Sequence, residues 1–165
     1  MSTRVGMGFD AHPFAPGRPL RLGGVEVPHP TGLQGHSDGD ALLHAIADAI
    51  LGASGLASLG EHFPSDDAAL AGADSGPLLS RVSDVVRRNG FVVENVDALV
   101  IAESPRIAPH RDAMRARIAE ILDLPEDRVN VRGTSSNGLG FAGRGEGVAA
   151  MAVVLVSRSS VRVPE

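Results

Sequence analysis

Apolar residues along the chain fall into short alternating runs and longer helical stripes. RVGMGF (4–9) reads as a strand that ends at Asp10-Ala11-His12-Pro13. RLGGVEVP (21–28) reads as a small hairpin around Gly23-Gly24, a two-residue turn that tolerates positive φ. The first long helix is predicted over 39–53. Ser37 or Asp38 can accept from its open N–H groups, and Gly55 follows its end. Residues 56–73 form a loop of a length that usually carries function. A second helix, 75–88, places Leu78, Leu79, Val82, Val85 and Val86 on one face. FVVENVDALVIAE (91–103) alternates as a strand until Pro105. A third helix, 109–122, carries Met114, Ile118 and Ile121 at three- and four-residue spacing. The segments 128–134 and 148–157 are the last strands.

Strands and helices interleave without repeat or linker, which predicts an α/β (α+β) fold in a single domain, 1–158, with 159–165 as a flexible tail. VAAMAVVLV (148–156) is apolar on both faces, so it belongs in the middle of a covered sheet. Three helices cover one sheet face but not two. A homo-oligomer whose sheets face each other across a symmetry axis would bury the second face.

Composition narrows the chemistry. The 165 residues contain no cysteine, which removes disulfides and thiolate metal sites and suits a cytoplasmic protein. No apolar run reaches the roughly 18 residues of a membrane span, and the first residues do not resemble a targeting peptide. Net charge is −5, which argues against a nucleic-acid partner. Every base is arginine, so phosphate must be held by arginine, backbone N–H or metal. Tyrosine and tryptophan are absent, so a bound nucleobase would be read mainly by backbone groups.

Asp10 and His12 stand two apart at a strand end and therefore point the same way. One histidine from a neighbouring helix would complete an Asp-His-His set with an open fourth position, the pattern of catalytic zinc. The plain alternative is a turn-capping aspartate and an exposed histidine. On the first helix Asp40, His44 and Asp48 form one stripe, a metal-bearing face or simply a solvated one. In the metal reading His44 is the third ligand, and Asp48 or Asp40 orients its second nitrogen. His36 precedes the helix, near N–H groups that suit anions. The hydroxyl- and glycine-rich TSSNGLGFAGRGEG (134–147) has the composition of a phosphate cradle, with Arg144 among its glycines. The loop ESPRIAP (103–109) exposes backbone groups around Arg106. His29, His62 and His110 read as exposed loop residues.

The segments GFDAHPF, HSDGDALLHAIADAILGA, FPSDD followed by GADS, NVDALVIAESPRIAPH, VNV and GLGFAGRGEGVA occur in order over nearly the whole chain. Together they resemble the 2-C-methyl-D-erythritol 2,4-cyclodiphosphate synthase family of non-mevalonate isoprenoid biosynthesis. The resemblance implies a homotrimer with helices on one sheet face and the other face lining the trimer core. Each active site would lie between adjacent subunits and hold Zn2+ through Asp10, His12 and His44. The implied substrate is 4-diphosphocytidyl-2-C-methyl-D-erythritol 2-phosphate, cyclised with release of CMP. His36 and Ser135 are implied as transition-state stabilisers. Ala102, Pro105, Arg106, Ile107 and Ala108 match the cytidine loop. Ser37, Asp40, Ser58, Gly60, Phe63 and Asp67 match further substrate positions, as do Thr134, Ser136, Asn137, Phe141 and Arg144. Arg144 would also meet phosphate near the trimer axis, where an isoprenoid diphosphate could lie.

Three positions depart from the family pattern. Ser58 and Ser65 stand where carboxylates are usual, although Asp66 and Asp67 adjoin the second. Asn137 stands in place of a glutamate that holds a second metal, Mg2+ or Mn2+. An amide oxygen carries no charge for a hard cation, so a weaker second-metal site is expected. The departures also raise an alternative: a non-catalytic zinc-containing trimer that binds a nucleotide or isoprenoid diphosphate. A zinc phosphohydrolase, with a stripe aspartate such as Asp48 as base, is a third reading.

Overall fold

A computed structural model of the chain describes residues 2–64 and 72–159. Its core is a five-stranded sheet with spatial order β4-β1-β7-β5-β6. The strands are β1 (Thr3–Ala15), β4 (Gly32–Leu33), β5 (Phe91–Ile101), β6 (Val129–Thr134) and β7 (Gly147–Arg158). β5 and β6 run parallel; the other neighbouring pairs are antiparallel. The expected hairpin is β2 (Leu20–Leu22) with β3 (Val25–Val27), and Gly23 and Gly24 adopt positive φ between them.

The helices α1 (Ala41–Ser54), α3 (Ser75–Arg88) and α4 (Arg111–Leu122) all pack on one sheet face. Leu42, Leu43, Ile46 and Ile50 of α1 are fully buried there, each contributing roughly 2 kcal/mol. α1 ends as expected at Gly55, with φ 72°. Its start differs from expectation. The helix begins at Ala41, and Asp40, rather than Ser37 or Asp38, caps it by accepting from Leu43 N–H. The predicted loop 56–73 contains a short helix, α2 (Leu59–His62), and a second short turn, α5 (Gly140–Gly143), lies in the glycine-rich segment. Ser159 N–H donates to Gly90 O; the rest of the expected tail lies outside the described residues.

α1 lies unusually close to β1 because two glycines make room for it. A Cβ on Gly8 would sit 2.0 Å from Ala45 O, and one on Gly6 would sit 2.1 Å from Ala49 O. Strand alternation carries this helix-facing side on from Gly6 and Gly8 to Asp10 and His12. The glycine groove therefore sets how near α1 comes to Asp10 and His12. On the opposite sheet face Val5, Met7 and Phe9 stay 67, 65 and 55 % exposed, beside Val153 of β7.

Candidate metal centre and substrate cavities

Asp10 and His12 leave the end of β1 and meet His44 from α1. Asp10 Oδ2 lies 2.8 Å from His12 Nε2 and 2.9 Å from His44 Nδ1, and the two nitrogens are 3.2 Å apart. Around a tetrahedral cation with 2.0 Å bonds, ligand atoms are about 3.3 Å apart. The three groups thus need to open by only a few tenths of an ångström to receive one. A carboxylate with two imidazoles and an open side also matches the donor set of a catalytic divalent site. His12 is oriented by a 2.6 Å hydrogen bond from Nδ1 to Gln34 O, just past β4, which leaves Nε2 for the cation.

Without a cation, protons occupy the same place. Burial pushes the Asp10 carboxyl up, but the hydrogen bonds and charge of His12 and His44 outweigh it, so it sits well below the usual carboxylate range. The hydrogen bond to Asp10 raises His12 above its ordinary value, against the opposing effect of burial. The stabilisation from Asp10 is present above the unfolded carboxyl pKa and is lost as pH falls through the lowered folded value. That from His12 is present below the unfolded imidazole pKa and is lost as pH rises through the raised folded value. Metal-free protein is therefore expected to melt highest between about pH 4 and 6.5. A metal-free melting temperature that climbs steadily to pH 9 would contradict the pairing. Because a cation must displace the His12 proton, metal affinity should fall as the pH drops below that raised value.

The triad opens into a cavity of about 430 Å³ whose wall includes His36, Ser37, Asp48, Gly60, Phe63 and Leu78. His36 is exposed in the loop before α1. Arg18 braces that loop by donating from Nη1 to Gly35 O at 2.9 Å and from Nη2 to Ser37 O. Gly72 N–H donates to His36 O from the other side, at 2.7 Å. Sequence reasoning gave Arg18 no role; its clamp joins segments 17 to 19 residues apart, which no local pattern reveals.

Two aspartates of the α1 stripe act differently from expectation. Asp48 accepts from Leu59 N–H at 3.1 Å, fixing the start of α2 at the cavity wall rather than orienting His44. Asp40 neither bonds to the His44 ring nor lines the cavity beside the triad. It is fully buried, and its carboxylate accepts from Gly23 N–H, Gly24 N–H and Leu43 N–H. Burial raises its carboxyl despite these bonds. The substrate role expected for Asp40 is therefore corrected: it is the joint between the hairpin turn and α1. The nitrogen His44 Nε2 faces Ser75 and Ser37 instead.

A second cavity, of about 660 Å³, lies at the far end of β5 and β6. Ala102, Pro105, Arg106, Ile107, Ala108, Thr134 and Ser135 line it. The close approach of its walls needs Gly133, where a Cβ would lie 2.7 Å from Ile107 Cβ. The turn that follows is held by Glu103, whose carboxylate accepts from Ser136 N–H and Gly138 N–H, while the Ser136 hydroxyl donates to Leu139 O at 2.7 Å. Asn137 sits there at φ 54°, a left-handed conformation that asparagine tolerates better than glutamate. Ser136, Asn137, Phe141 and Arg144 line neither cavity of a single chain, and Arg144 pairs with Glu146 at 2.7 Å. Ser58 opens α2, its N–H and hydroxyl both donating to Glu61. Asp67, with Ser65 and Asp66, lies outside the described residues.

The two cavities share no residue. Part of the expected constellation thus lines one cavity and part lines the other, and on one chain the two are separate.

Known proteins are similar to this chain in sequence and in fold. The chain is 55% identical over 153 residues to a 2-C-methyl-D-erythritol 2,4-cyclodiphosphate synthase from Halalkalibacterium halodurans, covering 93% of this chain and 98% of that one. It superposes on the bifunctional IspDF of Campylobacter jejuni with a TM-score of 0.92 and 44% identity, covering 95% of this chain and 42% of that larger one. An IspF of Plasmodium falciparum, solved as a CDP complex, matches with a TM-score of 0.84 and 29% identity over 96% of this chain and 98% of its own. The YgbB family profile matches residues 3–157. On this evidence of sequence and fold together, the chain belongs to the YgbB family, alongside the cyclodiphosphate synthases it resembles.

Proposed function

We propose that the domain formed by residues 1–158 converts 4-diphosphocytidyl-2-C-methyl-D-erythritol 2-phosphate to 2-C-methyl-D-erythritol 2,4-cyclodiphosphate and CMP. The observation that carries this reading is the pair of separate half-sites, one bearing three candidate metal ligands and the other lined by the 102–108 loop, the hydroxyls of Thr134 and Ser135, and the cations Arg106, Arg111 and Arg132. The Campylobacter and Plasmodium structures support the fold, and the CDP of the latter supports a cytidine nucleotide as the ligand class.

In this reaction an oxygen of the 2-phosphate attacks the β-phosphorus. The bond from that phosphorus to the oxygen bridging the α-phosphate breaks, and CMP leaves with the electron pair. Both reacting groups belong to the substrate, so the protein needs no nucleophile of its own. Its tasks are to fold the substrate and to neutralise charge. Zn2+ held by Asp10, His12 and His44 would supply Lewis-acid polarisation of the β-phosphate. His36 and Ser135 donate to the phosphate oxygens as charge builds on them. The 102–108 loop reads the cytosine through backbone groups, consistent with a chain that has no tyrosine or tryptophan to stack on it. Arg18 keeps His36 in place. Arg18→Ala should lower kcat/KM by at least about tenfold, given the cost of small misplacements, while zinc content stays unchanged. An unaltered kcat/KM would remove the clamp from the mechanism.

The metal half of one subunit meets the hydroxyl half of the next in a homotrimer. The exposed stripe of Val5, Met7, Phe9 and Val153 supports this assembly, since so large an apolar face seeks cover. Its solution mass should be three times the 17.0 kDa of the chain. Subunit mixing tests assembly and chemistry together. Trimers made only of His44→Ala chains, or only of Ser135→Ala chains, should be nearly inactive. Co-refolded mixtures should regain CMP release, because an intact Ser135 then faces an intact His44 across an interface. Mixtures as inactive as their parents would refute a site shared between subunits.

A second divalent ion is held only weakly in this reading. Asn137 offers no charge, and the neighbouring Glu103 carboxylate is committed to the 136–138 turn. Asn137→Glu should lower the Mg2+ concentration for half-maximal turnover by roughly tenfold, as added ligand charge does in oxygen-donor sites. Turnover indifferent to Mg2+ in both proteins would show that no second ion takes part. The reading further places the enzyme in the cytoplasm and leaves the trimer axis, near Arg144, for an isoprenoid diphosphate.

A further inference from the structure

His44 has two ring nitrogens with different surroundings. Nδ1 faces Asp10 and His12, whereas Nε2 lies 3.0 Å from Ser75 Oγ and 3.2 Å from Ser37 Oγ. Ser75, the first residue of α3, is fully buried. Its N–H donates to Asp38 Oδ2 at 3.0 Å, and its hydroxyl donates to Asp38 Oδ1 at 2.5 Å.

The polarity of this chain of bonds follows from the groups in it. A carboxylate only accepts, so the single hydroxyl proton of Ser75 is committed to Asp38. Ser75 Oγ is then left to accept, and of the two groups facing it His44 Nε2, at 3.0 Å, is nearer than Ser37 Oγ, at 3.5 Å. A hydrogen held on Nε2 makes Nδ1, which faces Asp10 at 2.9 Å and donates to it in the metal-free protein, the nitrogen whose lone pair a bound cation would receive. Asp38 is itself anchored: its N–H donates to Ala73 O, and it accepts from Asp40 N–H. It also stands two residues after His36, so the chain of bonds ties the metal half to the loop that carries His36.

We propose that Ser75 and Asp38 are positioning residues for the metal centre, a relay that holds His44 with its proton on Nε2 and Nδ1 presented to the cation. The proposal rests on the reading of Asp10, His12 and His44 as metal ligands. It assigns the orienting function that neither Asp40 nor Asp48 performs. Partners of this kind, on the far nitrogen of a ligating histidine, typically set metal affinity over one to two orders of magnitude.

The test is the Zn2+ dissociation constant, read by competition with a chromophoric chelator. Ser75→Ala should weaken Zn2+ binding by about 10- to 100-fold, and Asp38→Asn by a smaller factor, since an amide oxygen can still receive the hydroxyl. Ser54→Ala is the control for a purely structural effect. It removes another buried hydroxyl, bonded to Ile50 O within α1, and should leave the constant within about twofold. Wild-type affinity in Ser75→Ala would overturn the relay while leaving the ligand assignment intact. Should that variant fail to fold, Asp38→Asn decides by the same measure, and an unchanged constant there overturns the relay. A wild-type chain that takes up no Zn2+ would overturn both the relay and the reading beneath it.

Discussion

His44→Ala protein is expected to be isolated without zinc and to release CMP at least about 10³-fold more slowly than wild type. The ligand atoms form one compact triangle at the mouth of the cavity, and two remaining donors do not make a stable tetrahedral site. With the cation goes several kcal/mol of charge stabilisation at the β-phosphate, and each 1.4 kcal/mol is about a factor of ten in rate. The protein itself should still fold. His44 sits at the edge of the core, with 13 % of its side chain exposed, and the apolar face of α1 is untouched. Zinc measured by atomic absorption and thermal unfolding separate the two effects. Full zinc occupancy in this variant would show that the cation is held elsewhere.

The second large effect concerns stability. Gly8→Ala should cost roughly 3 kcal/mol or more, at the upper end of overpacking penalties. The added methyl would stand 2.0 Å from Ala45 O and 2.7 Å from Ala49 N, both backbone atoms that no rotamer change can move. Relief requires lifting α1 from β1, which also carries His44 away from Asp10 and His12. Loss of stability and loss of metal affinity should therefore appear together. Gly60→Ala is the comparison: nothing lies within 4 Å of its Cβ, and its stability should stay within about 0.5 kcal/mol of wild type. Urea unfolding of the three proteins, with metal removed, gives the answer; equal midpoints would mean that the glycine groove is not needed for close packing.

Much of this architecture was legible in the residues because its causes are local. Alternation on β1 placed Asp10 beside His12, and spacing on α1 separated His44 from Leu42, Leu43, Ile46 and Ile50. Gly23-Gly24 and Gly55 marked a turn and a helix end that the fold reproduces. What stayed hidden depended on distant partners. Ser37, Asp38 and Asp40 are all competent to cap α1, and Asp40 takes the position where it also accepts from the buried Gly23 N–H and the part-buried Gly24 N–H. That left Asp38 to bind Ser75, 37 residues away, and Ser75 to face His44. Arg18 and Glu103 escaped notice for the same reason. VAAMAVVLV pointed to a sheet covered on both faces, whereas on the single chain Val5, Met7, Phe9 and Val153 stay exposed on one of them.

The central claim is that this chain cyclises its substrate by joining two phosphates already in it. Phosphorus NMR of the zinc-loaded protein with 4-diphosphocytidyl-2-C-methyl-D-erythritol 2-phosphate tests it directly. The account predicts a cyclic diphosphate and CMP, appearing together in equal amounts, with no linear phosphate released. A linear hydrolysis product, or substrate left intact in the presence of bound zinc, would contradict it.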